Sequence, residues 1–223
     1  DVAAVAALDD AVAAAPQSKQ PVKPVPSHKL DWPLPLTSCF TSPCRNGCPI
    51  EQDIPAYLAA VDEGRLDDAL AIIAERNALP FITGNLCPHP CGTKCMRAFY
   101  EPEGASIRAS KLTAARGGID ALLAAIKKDG AKAVDGAAGH KVAVIGGGPA
   151  GLACAFFLSR AGADVTIYER KDTLGGVARH IIPAFRISDE DIDRDVELCL
   201  AYGAKAQTGV EAKSVAELKA EGY

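Results

Sequence analysis

Residues 141–169 constrain this chain more than any other stretch. Lys141-Val-Ala-Val-Ile145 is a short β-branched run that reads as a buried parallel strand. It meets Gly146-Gly147-Gly148-Pro149-Ala150-Gly151 directly, and a helical stretch carrying Leu152, Phe156, Phe157 and Leu158 follows. A second strand is expected over Asp164–Tyr168, with Glu169 at its end, eighteen residues after Gly151. Strand, glycine loop, helix, strand and acid in this order specify a Rossmann-type unit that binds an adenine dinucleotide. Gly146 allows the tight turn, Gly148 lets backbone approach a pyrophosphate, and Gly151 lets helix and strand pack closely. Pro149 and Ala150 complete the loop, where the phosphates meet unpaired N–H groups at the positive end of the helix. Glu169 is placed to accept hydrogen bonds from the adenine ribose. FAD and NAD share the same AMP-pyrophosphate half, so the residues leave the choice between them open.

The second constraint is a set of cysteines. Cys39-x4-Cys44-x3-Cys48-Pro49 forms one triplet and Cys87-Pro88-x2-Cys91-x3-Cys95 another. Clusters of this kind, in a chain with no secretory signal, bind metal more often than they form bridges. Thiolates select zinc, copper(I) or iron–sulfur clusters. Structural zinc favours two-residue spacings within pairs, unlike the spacings here. A Cys-Pro ending the first triplet is an iron–sulfur feature, and in two-cluster ferredoxins the cysteine before that proline serves the other cluster. This gives an interleaved expectation. Cys39, Cys44 and Cys95 hold one [4Fe-4S] cluster, and Cys48, Cys87 and Cys91 hold the other. Six thiolates are two short of filling both, so each cluster takes one non-cysteine ligand, or only one cluster forms. His89 lies inside the second triplet as a further possible donor. Cys154 and Cys199 sit in apolar helical stretches and read as core residues.

Between the triplets, Ile54, Tyr57, Leu58 and Val61 make one apolar stripe and Leu66, Leu70 and Ile73 a second, with Gly64 between. Two antiparallel helices joined by a short turn are expected, bringing the triplets together. A further helix is expected from about Lys111 to Lys128, burying Ile119, Leu122, Leu123 and Ile126. The domain reading is an N-terminal extension and Pro-rich connector over 1–38, an α-helical [4Fe-4S] domain over 39–129, a linker over 130–140, and the N-terminal part of a Rossmann domain over 141–223. The fold class is thus an α-helical iron–sulfur domain followed by an α/β Rossmann-type dinucleotide-binding domain.

Net charge is −4, with acids and bases interspersed and no basic block, which argues against a nucleic-acid partner. No apolar run reaches the roughly 18–20 residues of a membrane helix. With no signal-peptide pattern at Asp1-Val2-Ala3-Ala4, a cytoplasmic protein is expected. A start without Met reads as processing, or as excision from something longer.

Glu169-Arg170 is followed by Thr173-Leu174-Gly175-Gly176 and then by Ile182-Pro183-Ala184-Phe185-Arg186. With the Cys-Pro triplets and the run from Pro49 to Pro55, this resembles the glutamate synthase small-subunit family of flavoproteins. That family includes the N-terminal region of dihydropyrimidine dehydrogenase, and the nearest branch is the flavoprotein subunits named as selenate reductases. The resemblance covers roughly Leu36 to Tyr223. It implies FAD at Gly146, Gly148, Gly151 and Glu169, with Pro149, Ala150 and Arg170 in the same site and Gly175 and Gly176 along the pyrophosphate and ribityl chain. It also implies NADPH or NADH as electron donor in a full-length parent, and clusters passing single electrons to the parent's remaining domains or to a redox partner subunit. Two positions depart from the family. Leu36 stands where many relatives carry another cysteine, and Lys111 where relatives place a Gln or Glu ligand. By the same resemblance the chain stops before the flavin-closing segment, so the fragment alone is expected to be inactive. The competing reading is a zinc-binding helical docking module with a vestigial nucleotide-binding fold.

Overall fold

The computed structural model of the protein describes residues 42–99, 101–131 and 137–223. The expected N-terminal extension, the Pro-rich connector and Cys39 lie outside the described residues, as does part of the 130–140 linker. Residues 42–223 form one compact unit.

The helical half begins with α1 (Pro43–Asn46), which carries Cys44. The hairpin follows as α2 (Ile54–Asp62) and α3 (Leu66–Ala74), turning at Gly64. Asp53 starts α2 by accepting from the Ala56 N–H, and Pro55 occupies the first turn, where its missing donor costs nothing. Ile54, Tyr57, Leu70 and Ile73 are fully buried, as the stripes require. The sequence reading missed α4 (Pro80–Leu86), which delivers the chain to Cys87. Two 3₁₀ turns, Gly92–Lys94 and Met96–Phe99, carry the second triplet onward. The long α5 runs over Ile107–Asp129, four residues earlier at its start than the apolar spacing suggested. It packs across α3 and α4, burying Ile119 and Ile126, with Leu122 and Leu123 half-buried against the core.

The α/β half follows the expected order: β1 (Lys141–Ile145), α6 (Pro149–Arg160), β2 (Asp164–Glu169), α7 (Val177–His180), α8 (Asp189–Leu200), β3 (Lys205–Thr208) and α9 (Val215–Ala220). The strands are parallel in the order β1-β2-β3, with Lys141 facing Asp164 and Thr166 facing Lys205. One expectation fails here. β1 is parallel but not buried, because no other described strand covers its free edge; only Val144 is buried and Ile145 is 60% exposed. The buried strand is β2, whose side chains from Val165 to Glu169 are all covered.

The two halves join through α8. Asp195 is fully buried, and its carboxylate accepts from the N–H groups of Phe81 at 3.0 Å and Ile82 at 2.6 Å. It thereby caps α4, whose own sequence supplies no cap. Asp191 accepts from Asn85 and from Arg116, at 2.9 and 3.0 Å. Arg160, at the end of α6, donates to the carbonyls of Ala74 and Glu75 at the end of α3. Cys199 is buried as expected. Cys154 is exposed, which corrects its assignment to the core: α6 buries the face of Leu152, Ala155, Phe156 and Ser159, and Cys154 lies off it.

Candidate functional site

Cys48, Cys87 and Cys91 line one cavity of about 190 Å³, together with Ile54, Tyr57 and Lys111. Each arrives from a different local structure. Cys48 follows the Gly47 cap of α1, Cys87 caps α4, and Cys91 opens a 3₁₀ turn. The loops carrying the two triplets touch directly: a side chain at Gly47 would stand 3.0 Å from Lys94 Cγ and 3.3 Å from Cys91 Cα. Tyr57 is sealed beneath them with its hydroxyl on the Ile107 carbonyl, and its pKa is pushed far up by burial and then by the Cys91, Cys48, Cys44 and Cys87 sulfurs. Burial also raises the Cys91 thiol, as do Cys48 and Cys87, against Lys111 and the Gly92 N–H. Lys111 is held below the usual amine range by burial, with Cys87, Cys48 and Cys91 opposing. Among the described residues no three His, Cys, Asp or Glu side chains converge on a point that would hold a single metal ion. The three cysteines line an apolar space and offer thiol donors of the kind an iron–sulfur cluster takes, one fewer than its usual four.

Cys95 does not line this cavity. The Ala105 N–H lies 3.4 Å from its sulfur, and that bond, with backbone N–H groups of Arg97 and Ala98 and the Arg97 charge, lowers the thiol pKa against burial. Cys44 donates to the Ser42 hydroxyl at 3.3 Å. Cys39, the expected third member of this group, lies outside the described residues. His89 lines the first cavity, with a ring nitrogen 3.4 Å from the Cys87 carbonyl.

The glycine loop turns between β1 and α6 as expected. Gly146 has a φ of +100°, and its N–H donates to the Tyr168 carbonyl on β2. A Cβ at Gly151 would lie 1.9 Å from the Gly146 carbonyl oxygen, so only glycine lets α6 sit this close to the turn. The second glycine pair backs the first: Gly175 N–H donates to the Gly147 carbonyl at 2.8 Å, and a Cβ at Gly176 would meet Gly148 Cα at 2.6 Å. Two bare backbone segments therefore face each other at the N-terminus of α6. A crevice of about 320 Å³ opens at the carboxyl ends of the strands, lined by Gly146, Glu169, Arg170 and Lys213. That is where open parallel sheets take their ligands.

Glu169 has a role that the sequence reading did not include. Its carboxylate accepts from the Gly147 N–H at 2.7 Å and from the Lys171 N–H at 2.9 Å, fastening the glycine turn to β2. Burial alone would raise its pKa; those two N–H groups, with Arg170 and His180, hold it low. Each carboxylate oxygen keeps a further lone pair for a ligand hydroxyl. The structure thus places Gly146, Glu169 and Arg170 on one crevice, with Gly175 and Gly176 against the backbone of Gly147 and Gly148, and three of the six cysteines on one cavity. The roles of Asp195, of Tyr57 and of Arg108, which donates to the Cys87 carbonyl, were missed, since each acts through a partner distant in sequence.

Known proteins align with both halves. The family described as dihydropyrimidine dehydrogenase domain II, 4Fe-4S cluster, matches residues 36–114, and an NAD(P)-binding Rossmann-like domain matches residues 144–210. A protein of Escherichia coli strain K12 named as an oxidoreductase, YgfK, is 42% identical over 90% of this chain and 19% of its own length. The NADPH-Fe(3+) oxidoreductase subunit beta of Geobacter sulfurreducens is 35% identical over 74% of the chain and 24% of its own. The glutamate synthase [NADPH] small chain of Mycobacterium tuberculosis is 34% identical over 75% and 33%. The chain spans between a fifth and a third of the length of these relatives.

Proposed function

Because this chain belongs to the family of iron–sulfur and NAD(P)-binding oxidoreductases that includes glutamate synthase small chains, we propose that it is the electron-transfer part of a longer NAD(P)H-dependent flavoprotein working in the cytoplasm. Bound here, FAD would accept hydride from NADPH or NADH, and [4Fe-4S] clusters would pass the electrons on singly.

In this reading Gly146, Gly148, Pro149, Ala150 and Gly151 receive the pyrophosphate of FAD. Glu169 and Arg170 face its adenosine end, and Gly175 and Gly176 border the chain toward the flavin. Cys48, Cys87 and Cys91 hold one cluster; Cys44 and Cys95, with Cys39, hold a second. The observation that carries the reading is that three cysteines line one apolar cavity inside the compact unit that also forms the glycine crevice. α8 connects the two sites. Its Ile192 packs at Gly175, and its Asp195 caps the helix that ends at Cys87. Free thiols throughout the described residues agree with a reducing compartment. Relatives named as subunits or as a small chain support a redox partner, either a further domain of the parent or another subunit.

The test is a reductase assay on the anaerobically purified intact protein with NADPH or NADH and a one-electron dye. The proposal expects dye reduction that Cys91→Ser slows for cluster-dependent acceptors. Failure of both nicotinamides to reduce any acceptor would overturn it.

A further inference from the structure

Two cations line the thiol cavity from the first turns of α5, and the fold treats them differently. Arg108 donates to the Cys87 carbonyl oxygen at 3.1 Å. Lys111 is only 6% exposed, yet among the described residues its amino group has no carboxylate partner and no hydrogen bond. Lys111 is one of the residues that line the cavity. Burying an unpaired ammonium is costly unless an anion compensates it. The groups that favour the Lys111 charge are the sulfurs of Cys87, Cys48 and Cys91, which line the same cavity, and more weakly the buried Asp195 carboxyl; Arg108 opposes it.

We propose that Lys111 is a positioning charge for the cluster held by Cys48, Cys87 and Cys91, placing a cation beside it so that it accepts an electron more readily than it otherwise would. The inference rests on the cluster reading above. Three thiolates around a [4Fe-4S] core of charge 2+ sum to −1, and one added electron makes the sum −2 with no bond formed or broken. A neighbouring cation in a low-dielectric cavity stabilises the second state more than the first. Among the described residues nothing equivalent stands beside Cys95. The arginine nearest it, Arg97, is exposed and already paired with Glu101. Among the described residues the cavity thiols and Cys95 therefore have unequal electrostatic surroundings.

The test uses the anaerobically purified intact protein in three forms: wild type, Lys111→Met, which keeps the apolar stem without the charge, and Lys111→Arg, which keeps the charge. Each is titrated with dithionite and redox mediators while the paramagnetic signal of the reduced clusters is followed. In Lys111→Met one cluster signal should need a potential lower by at least a tenfold change in its reduced-to-oxidised ratio, about 59 mV for a one-electron couple. The other signal should stay in place, Lys111→Arg should recover most of the shift, and iron and sulfide content should be unchanged. An unmoved potential in Lys111→Met overturns the inference. So does loss of iron and sulfide in that variant, which would make Lys111 a ligand or a prop. A wild-type protein with no cluster signal at all would instead remove the reading beneath it.

Discussion

Placing a methyl group at Gly148 or at Gly151 should separate nucleotide binding from stability. At Gly148, φ is −79° and the nearest atom to an added Cβ is Gly176 Cα at 3.7 Å, an ordinary contact. Gly148→Ala therefore fits the empty protein and should cost no more than about 1 kcal/mol as a poorer N-cap. For a chain of this size that is at most about 4 °C in Tm. The same methyl projects into the gap between the two glycine segments, where a pyrophosphate must approach backbone. FAD affinity should fall at least tenfold, about 1.4 kcal/mol. At Gly151 the added Cβ would stand 1.9 Å from a carbonyl oxygen, and main chain cannot rotate aside. α6 must move off the turn, costing about 1–3 kcal/mol and so roughly 2–12 °C. Thermal unfolding of flavin-free protein, paired with FAD titration by fluorescence quenching, reads both effects. Wild-type FAD affinity in Gly148→Ala, or wild-type stability in Gly151→Ala, would refute the reasoning.

Asp195→Asn should destabilise the junction by about 1–3 kcal/mol, because the amide presents a donor to one of two N–H groups. Burial pushes the Asp195 carboxyl up to about 8, above its unfolded value of roughly 3.9, so the fold holds the extra proton. Its contribution is full below about pH 4 and is lost as pH rises through about 8; Tm against pH should show this decline in wild type and not in Asp195→Asn, and identical profiles would count against it. Glu169 behaves oppositely. Its pKa is depressed, so the stability it adds is present above the unfolded value of roughly 4.3 and is lost as pH falls through the folded one. Glu169→Gln should remove that acid-limb dependence and weaken FAD binding, which unfolding at low pH and flavin titration would check. Cys91→Ser should lower iron and sulfide together while FAD is retained; unchanged iron would exclude Cys91 as a ligand.

The parts legible in sequence were those encoded locally. The run from Lys141 to Glu169 carries its own turn residues, spacing and helix, whereas the Gly175–Gly176 pair was read through a family resemblance and its contact with Gly147 and Gly148 belongs to the tertiary structure. The hairpin of α2 and α3 was equally plain from its stripes. The start of α4 was invisible because its cap is Asp195, more than a hundred residues away. α5 begins at Ile107 because that residue is buried and its carbonyl accepts from Tyr57. β1 looked buried because β-branched composition does not say whether a neighbouring strand covers its edge. Cys154 was misplaced because its helix is apolar on more than the face it buries. Lys111 was noticed as a helix start and as a departure from a family pattern. Its burial and its place among three thiols belong to the tertiary structure.

Metal, sulfide and flavin analysis of the anaerobically purified intact protein tests the central claim most directly. The account predicts iron and acid-labile sulfide in equal amounts, in multiples of about four per chain, together with bound FAD. A colourless protein holding stoichiometric zinc, with neither sulfide nor flavin, would contradict it.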